Sequence, residues 1–404
     1  MPIGIRLSTA CKRLTTQVSS MVFAPVVRAR IRRREQVPPR ISPFAVYFAD
    51  TPDAAYQLEQ WIPALQHLSA VGTPVTLLIT NSNSANLLSN AGNLPISLCP
   101  QAADVENFVR KHNVHVLFYV NNNQANFTPL RINRVVHVHL SHGESEKSSM
   151  VSNQLKAYDF AFIAGAAARE RILTHIQRID PSALVEIGRP QLDFRASARP
   201  VPSDQTEVLY APTWEGDSPA MAYSSLTGSG RKLIQLLAAD NRVRLTFRPH
   251  PKLGTRSREH AEALRQIRHL LRSTSKVEPP RSRTQPAIDS TSDISRADVV
   301  ITDVSAMAMD SVGLNKPTLV LTASAAATAG ATNHLVSAVP TWSDVPVDAV
   351  QRILKLAREG AAQEQDRFRQ HIFGPDELGS GTERFIRASQ DLLSLPSVGL
   401  SDVP

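Results

Sequence analysis

The sequence lacks most of the features that usually announce a function. It has two cysteines in 404 residues, Cys11 and Cys99. They show no ligand or redox spacing, which excludes a disulfide scaffold and makes a reducing, cytoplasmic setting the expectation. Aromatic residues are only 5% of the chain. No basic groove with interleaved aromatics can be read, so nucleic acid is not an expected partner. Long apolar runs are missing as well. The longest charge-free stretches, near Ile79–Ala103 and Pro317–Ser343, are rich in Ser, Thr, Asn, Gly and Pro. A spanning helix needs about 20 mainly apolar residues, so none is expected. Glycine-rich dinucleotide and P-loop patterns are absent, as are Gly-x-Ser-x-Gly and any metal-ligand spacing. That weighs against dehydrogenases, P-loop NTPases, α/β-hydrolases and zinc hydrolases, and no metal or cofactor is expected.

What the chain does carry is charge in one place. The formal net charge is +8, and residues 1–40 hold nine Lys/Arg against the single acid Glu35. The remainder balances as a whole, although Pro251–Arg283 carries nine Lys/Arg against three Glu. The segment Val18–Val27 is interrupted by Ser19, Ser20 and Pro25, and most of the charge follows it, unlike a secretory signal. Apolar residues followed by an Arg cluster fit a peripheral anchor on an anionic leaflet, where each cation contributes about 1 kcal/mol. A solvated tail is the alternative.

Beyond the leader, short apolar runs alternate with helical stretches. Phe44–Ala49, Val75–Thr80, Val114–Val120, Val135–Leu140, Phe160–Ala164 and Leu184–Ile187 read as strands, with helices over Ala54–Ala70, Ala102–His112 and Ala166–Ile176. Ala196–Gln205 reads as a linker. The pattern then restarts with strands Glu207–Ala211, Arg244–Arg248, Val299–Thr302 and Thr318–Leu321. Alternation at this spacing predicts βαβ units and parallel sheets in two α/β halves. The division is a leader (1–40), a first domain (41–200) and a second (201–395), with a ligand cleft beyond the strand ends. The low-complexity run Thr322–Thr332 suggests no role.

Four clusters follow predicted strands. In His142-Gly143-Glu144-Ser145-Glu146-Lys147, Gly143 permits a sharp turn, His142 is a candidate base, and Lys147 a candidate phosphate partner. Tyr210-Ala211-Pro212-Thr213-Trp214 ends a strand in a hydroxyl and an aromatic. In Arg248-Pro249-His250-Pro251 two prolines fix two cationic donors suited to an anion. In Thr302-Asp303-Val304-Ser305, followed by a helix bearing Asp310, a helix N-terminus is offered to phosphate. Each cluster also has a plain structural reading, as a turn, a packed tryptophan or an N-cap.

Taken in order, these clusters resemble the CDP-glycerol glycerophosphotransferase family, the enzymes that build teichoic-acid-type poly(glycerol phosphate) chains. The family pattern runs His-Gly-Thr-Pro-x-Lys, Gly-x-Pro-Arg-x-Asp, Tyr-Ala-Pro-Thr-Trp, Arg-x-His-Pro and Thr-Asp-Tyr-Ser-Ser. This chain matches it at His142, Gly143 and Lys147, at Gly188-Arg189-Pro190-Gln191-Leu192-Asp193, at Tyr210–Trp214, at Arg248–Pro251, and at Thr302–Ala306 with Asp310. Phe373–Arg384 resembles the family's closing stretch. The departures are Glu144-Ser145, Gln191 and Ala306.

The resemblance implies an α/β, GT-B-like architecture of two Rossmann-type domains facing a cleft. It implies a metal-independent transfer of glycerol phosphate, or a related polyol phosphate, from a CDP-activated donor to a hydroxyl of a lipid-linked or polymer acceptor. Under it, His142 and His250 are catalytic. Gly143, Lys147, Thr213, Trp214, Arg248, Thr302, Asp303, Ser305 and Asp310 bind substrate, with Asp310 on the ribose. CDP-glycerol would be substrate rather than cofactor, and the enzyme would sit on the inner face of the membrane through residues 1–40. The departures motivate two alternatives: a GT-B glycosyltransferase using a nucleotide sugar, and a degenerate scaffold of an envelope-assembly complex.

Overall fold

The structure, a computed structural model, describes residues 23–145, 151–194, 204–216, 218, 222–273, 277–278, 289–322 and 334–395. The apolar runs collect into two parallel sheets. The first holds β1 (Phe44–Phe48), β2 (Val75–Ile79), β3 (Ile96–Leu98), β4 (Val116–Tyr119), β5 (Val136–His139), β6 (Phe160–Ile163) and β7 (Leu184–Glu186), in the order β3-β2-β1-β4-β5-β6-β7. The second holds β8 (Thr206–Ala211), β9 (Val243–Phe247), β10 (Val277–Glu278), β11 (Val299–Asp303), β12 (Thr318–Leu321) and β13 (Thr341–Trp342), in the order β10-β9-β8-β11-β12-β13. Registers are fixed by the central strands: Phe44 pairs with Val75 and Val116, and Val299 with Val208. Strands β1, β2 and β11 are buried at every position. This is why they read as continuous apolar runs rather than alternating ones: helices cover both faces of a parallel sheet.

Those helices are α1 (residues 23–33), α2 (Tyr56–Glu59), α3 (Ile62–Ala70), α4 (Ser82–Leu88), α5 (Ala102–Lys111) and α6 (Ala166–His175) in the first half. The second half supplies α7 (Ser229–Ala239), α8 (Arg258–Ser273), α9 (Asp289–Arg296), α10 (Ala306–Gly313), α11 (His334–Ala338), α12 (Ala349–Glu359), α13 (Gln363–Phe373) and α14 (Gly381–Leu393). The single helix expected over Ala54–Ala70 is broken. Pro52 and Pro63 each open a short element, because a proline ring clashes with the preceding turn but suits a helix start. In both sheets the strand order reverses at the first strand. The crevice at that reversal, between the carboxyl ends of β1 and β4 and of β8 and β11, is where open α/β sheets take ligands.

Two boundaries differ from expectation. Residues 23–40 are not a separate tail. Val27 and Ile31, one turn apart on α1, are buried in the first core, and the Gln36 amide donates to the Ser89 and Gly92 carbonyls. Residues 1–22 lie outside the described residues, as do 195–203 of the expected linker and 323–333 of the Ala/Thr run. The second domain also loses its last helix. Helix α14 returns to the first domain, where Phe385 is fully buried and packs on Trp61 and Phe118 at ring separations of 5.4 and 5.8 Å. Burying a side chain of this kind contributes about 1.5–3 kcal/mol.

Two motifs 189 residues apart in the chain explain that return. The Asp193 carboxylate accepts the Thr382 N–H at 2.6 Å. Gly188, at φ +70°, leaves the space that the Arg384 guanidinium fills. A third apolar cluster joins the halves, with Ala164, Ala167 and Leu192 against Met309, Val312 and Phe373. Gly313 is needed there, since a Cβ would lie 2.4 Å from Leu192.

Candidate active site

The first wall of the crevice is the turn after β5. Ser141 has φ +59°, a left-handed conformation that L-residues rarely hold. Trp61 secures it by donating from Nε1 to the Ser141 carbonyl at 2.6 Å, and the Ser141 hydroxyl donates to the Gly143 carbonyl at 3.1 Å. The turn swings His142 off the strand line. The His142 ring bonds to the Val120 carbonyl, while its buried Nδ1 has no partner among the described residues. Nε2 is therefore the donating nitrogen, and Nδ1 keeps its lone pair. Burial, with the positive charges of Arg189 and Lys252, lowers the His142 pKa to about 4. At neutral pH the ring is an uncharged base.

The second wall is built around His250, and its polar groups are largely engaged by protein. The His250 Nδ1 accepts the Lys252 N–H at 3.1 Å, which places the ring proton on Nε2. Trp214 stacks on His250 with ring centroids 6.2 Å apart and planes 22° from parallel, and Lys252 Nζ lies 5.4 Å over Trp214. Glu215, beside Trp214, accepts backbone N–H bonds from Gly254, Arg256 and Ser257. These bonds hold its carboxyl below the usual range even though partial burial pushes the other way. Glu215 thereby clamps the loop carrying Trp214 onto the loop carrying His250.

The remaining expected ligands fall into place with changed roles. Asp303 is fully buried and accepts the N–H groups of Thr213 at 2.7 Å and Ser225 at 3.3 Å. It shapes the loops rather than facing the crevice. Thr302 donates its hydroxyl to the Ala211 carbonyl at 2.8 Å and lies 3.1 Å from the Ser305 hydroxyl. Ser305 takes the N-cap position of α10 without a side-chain cap bond. Arg248 pairs with Asp293 at 2.5 Å, and Arg296 meets the same carboxylate at 2.5 Å. Two guanidinium groups on one carboxylate leave a net positive charge. Asp310, expected on a ribose, instead accepts from Arg189 with both oxygens, at 2.9 and 3.3 Å. The two sit in different domains, and both side chains are under 10% exposed. Lys147 lies outside the described residues.

Three contacts cross the crevice. The Tyr56 ring stands edge-on to His142 at 6.3 Å and to His250 at 6.5 Å, between the two walls. A Cβ on Gly143 would lie 3.3 Å from the Ala306 Cβ, so the small residue lets the His142 turn approach the start of α10. The Arg189–Asp310 pair is the third. Around His142 opens a pocket of about 500 Å³, lined also by Asp50, Gln57, Asn121 and Lys252. Asn121 donates to Asp50 and Gln57, at 2.7 Å each. Tyr56, Asp50, Gln57 and Asn121 escaped the sequence reading. Their one signal is position, at the carboxyl ends of β1 and β4. No group of three or more metal-ligating side chains forms among the described residues.

The profile of the CDP-glycerol:poly(glycerophosphate) glycerophosphotransferase family matches residues 118–327. No curated protein matches the sequence. Among solved structures, the wall teichoic acid polymerase TagF is 14% identical, with 96% of this chain and 98% of that one covered and a TM-score of 0.56. A glycosyltransferase from Rickettsia africae is 12% identical over 89% of this chain and all of its own, with a TM-score of 0.55. The UDP-GlcNAc 2-epimerase of Neisseria meningitidis is 13% identical, covers 86% and 99%, and scores 0.54. These likenesses establish the GT-B-type fold. The profile covers more than half of the chain, and the chain belongs to this glycerophosphotransferase family. It is a transferase acting with a CDP-glycerol donor and a poly(glycerol phosphate) acceptor.

Proposed function

We propose that this family member transfers glycerol phosphate by a direct attack organised between the two histidines. The acceptor hydroxyl oxygen bonds to the glycerol-side phosphorus of CDP-glycerol, and the bond from that phosphorus to the bridging oxygen breaks. CMP departs, and the hydroxyl proton passes to His142 Nδ1. His250 donates from Nε2 to a phosphate oxygen, with Lys252 and the net charge around Arg248 drawing the pyrophosphate to the second wall. Ser305 and the first N–H groups of α10 provide further donors, and Thr213 and Trp214 line the donor side.

The observation that carries this reading is the opposite tautomers of the two rings on either side of Tyr56, one with an unprotonated Nδ1 that has no hydrogen-bond partner among the described residues and one with its proton on Nε2. Transfer of this kind depends mainly on positioning and charge stabilisation. The test is CMP release from CDP-glycerol across pH. A base whose pKa is lowered to about 4 is already deprotonated above pH 5. kcat/KM should then be flat from pH 5 to 7 and fall as pH drops through about 4. An acid limb centred near 6.5, the ordinary histidine value, would remove His142 from the role.

We also infer peripheral association with an anionic membrane through the outward face of α1. No helix among the described residues is long and apolar enough to cross a membrane. Opposite the buried Val27 and Ile31, that face exposes Arg28, Arg32 and Arg33 beside Val26, with Phe23 half-exposed near the helix start. Replacing the three arginines by Glu should release the protein from vesicles containing phosphatidylserine. Unchanged flotation would exclude this face.

A further inference from the structure

A base that is uncharged at neutral pH is ready at all times. His142 then activates water as readily as an acceptor hydroxyl, and water is present in far greater amount. Attack by water follows the same path. Its oxygen bonds to the glycerol-side phosphorus, the bond from that phosphorus to the bridging oxygen breaks, CMP departs, and a proton passes to His142. The product is free glycerol phosphate, and the activated donor is lost. A transferase of this kind has to keep water out of the space between its two histidines until the acceptor is seated.

Tyr56 stands in that space. Its ring is edge-on to His142, with centroids 6.3 Å apart and planes at 90°, and edge-on to His250, at 6.5 Å and 87°. The pocket of about 500 Å³ around His142 does not reach the second wall. Among the described residues, Lys252 lines it from the second domain, and His250, Trp214 and Ser305 do not. The ring is also free of the core. Its chain neighbours Ala55, Leu58 and Trp61 belong to the first apolar cluster, and Tyr56 does not. The Gln57 amide donates to the Tyr56 hydroxyl at 3.4 Å, a long bond. Tyr56 opens the four-residue helix α2, between the elements begun by Pro52 and Pro63. Its ring can turn about its own torsions without moving a core helix.

Resting on the transfer reading above, we infer that Tyr56 is the residue that decides between acceptor and water: its ring bars the passage between His142 and His250 in the empty enzyme and swings aside when the acceptor is bound. His142 must reach the attacking oxygen and His250 a phosphate oxygen of the same reacting group. That group therefore belongs where the ring now lies, and the two cannot share the place. The aromatic body is what excludes water. The hydroxyl is engaged by Gln57, and burial raises its pKa, so it stays protonated and brings no charge to the phosphate. Tyr56 also precedes residues 118–327, the part matched by the family profile, so none of the motifs contains it.

The test uses the full-length protein, CDP-glycerol and a short oligo(glycerol phosphate) acceptor, and counts CMP released against acceptor extended. The wild type should couple nearly every CMP to an extension and release little without acceptor. Tyr56→Ala should raise acceptor-free CMP release roughly tenfold, with free glycerol phosphate as the second product, and lower the share of CMP coupled to extension. Tyr56→Phe keeps the ring and should restore the wild-type ratio of hydrolysis to transfer. A folded Tyr56→Ala with the wild-type ratio would overturn the inference, since loss of a merely structural residue lowers both reactions together. Tyr56→Phe hydrolysing as freely as Tyr56→Ala would overturn it too, by assigning the effect to the hydroxyl. A second measurement needs no turnover. Carbethoxylation of His142 and His250 by diethyl pyrocarbonate, read by mass spectrometry, should quicken in Tyr56→Ala and not in Tyr56→Phe, and equal rates in all three proteins would overturn the inference. Failure of the transfer reading looks different: the wild type would release no CMP with acceptor present, and the labelling would still decide the role of Tyr56.

Discussion

The two walls of the crevice are made from the same architecture and finished in opposite ways. On the second wall, Asp303, Glu215 and Arg248 each bond to backbone or to a neighbouring ion. What faces the crevice is a fixed frame of Trp214, His250 and Lys252. On the first wall, His142, His139, Gln191 and Arg171 each keep a buried polar atom that has no hydrogen-bond partner among the described residues. A nucleotide diphosphate presents the same rigid head group each time, and a frame suits it. A growing acceptor must be received, deprotonated and released, and a wall with unpaired donors and acceptors exchanges its bonds with whatever hydroxyl enters.

The largest test of that contrast is to remove one ring from each wall. His142→Ala should lower kcat by about 10²–10⁴, the usual share of a positioned base, with the donor KM little changed and thermal unfolding preserved. His250→Ala should instead raise the donor KM and also lower kcat, because it removes both a phosphate donor and the ring stacked on Trp214. If the two variants shared one kinetic signature, the division of labour between the walls would be wrong.

A smaller effect concerns what holds the walls together. Arg189→Met leaves Asp310 buried without its cation, and breaking a buried pair from one side costs about 3–5 kcal/mol. Adding Asp310→Asn to that variant should recover part of the loss, since the stranded charge is then gone. Denaturant unfolding measures both. A double variant no more stable than the single would show that the pair does not act as a unit.

Much of this molecule is legible in its sequence. Strands β1, β2, β4, β5, β8 and β11 are buried on both faces, so their composition is locally distinctive. The short strands β3, β10 and β13 have two or three residues each and gain their pairing from neighbours, which composition does not register. Helix α13, QEQDRFRQHIF, is mostly polar, and its buried residues Phe368, Ile372 and Phe373 matter only once α6, α10 and α11 pack against it. The histidines were found because prolines and glycine mark their turns. Tyr56 was not, because nothing around it distinguishes it from a residue of an ordinary helix.

The basic leader shows the same division. Its charge was plain from the start, but whether it was a tail or part of a domain depended on Val27 and Ile31 finding the first core. By itself the sequence determined the two α/β halves, the order of the motifs and the family they belong to, because backbone pattern and local turn chemistry are written residue by residue. Only the tertiary structure decided which motif residues face the crevice and which brace it. Asp303 and Asp310 read as ligands until the N–H groups and the guanidinium that occupy them were in place. A carboxylate's role is set by the partner that reaches it, and those partners lie 78 to 121 residues away in the chain.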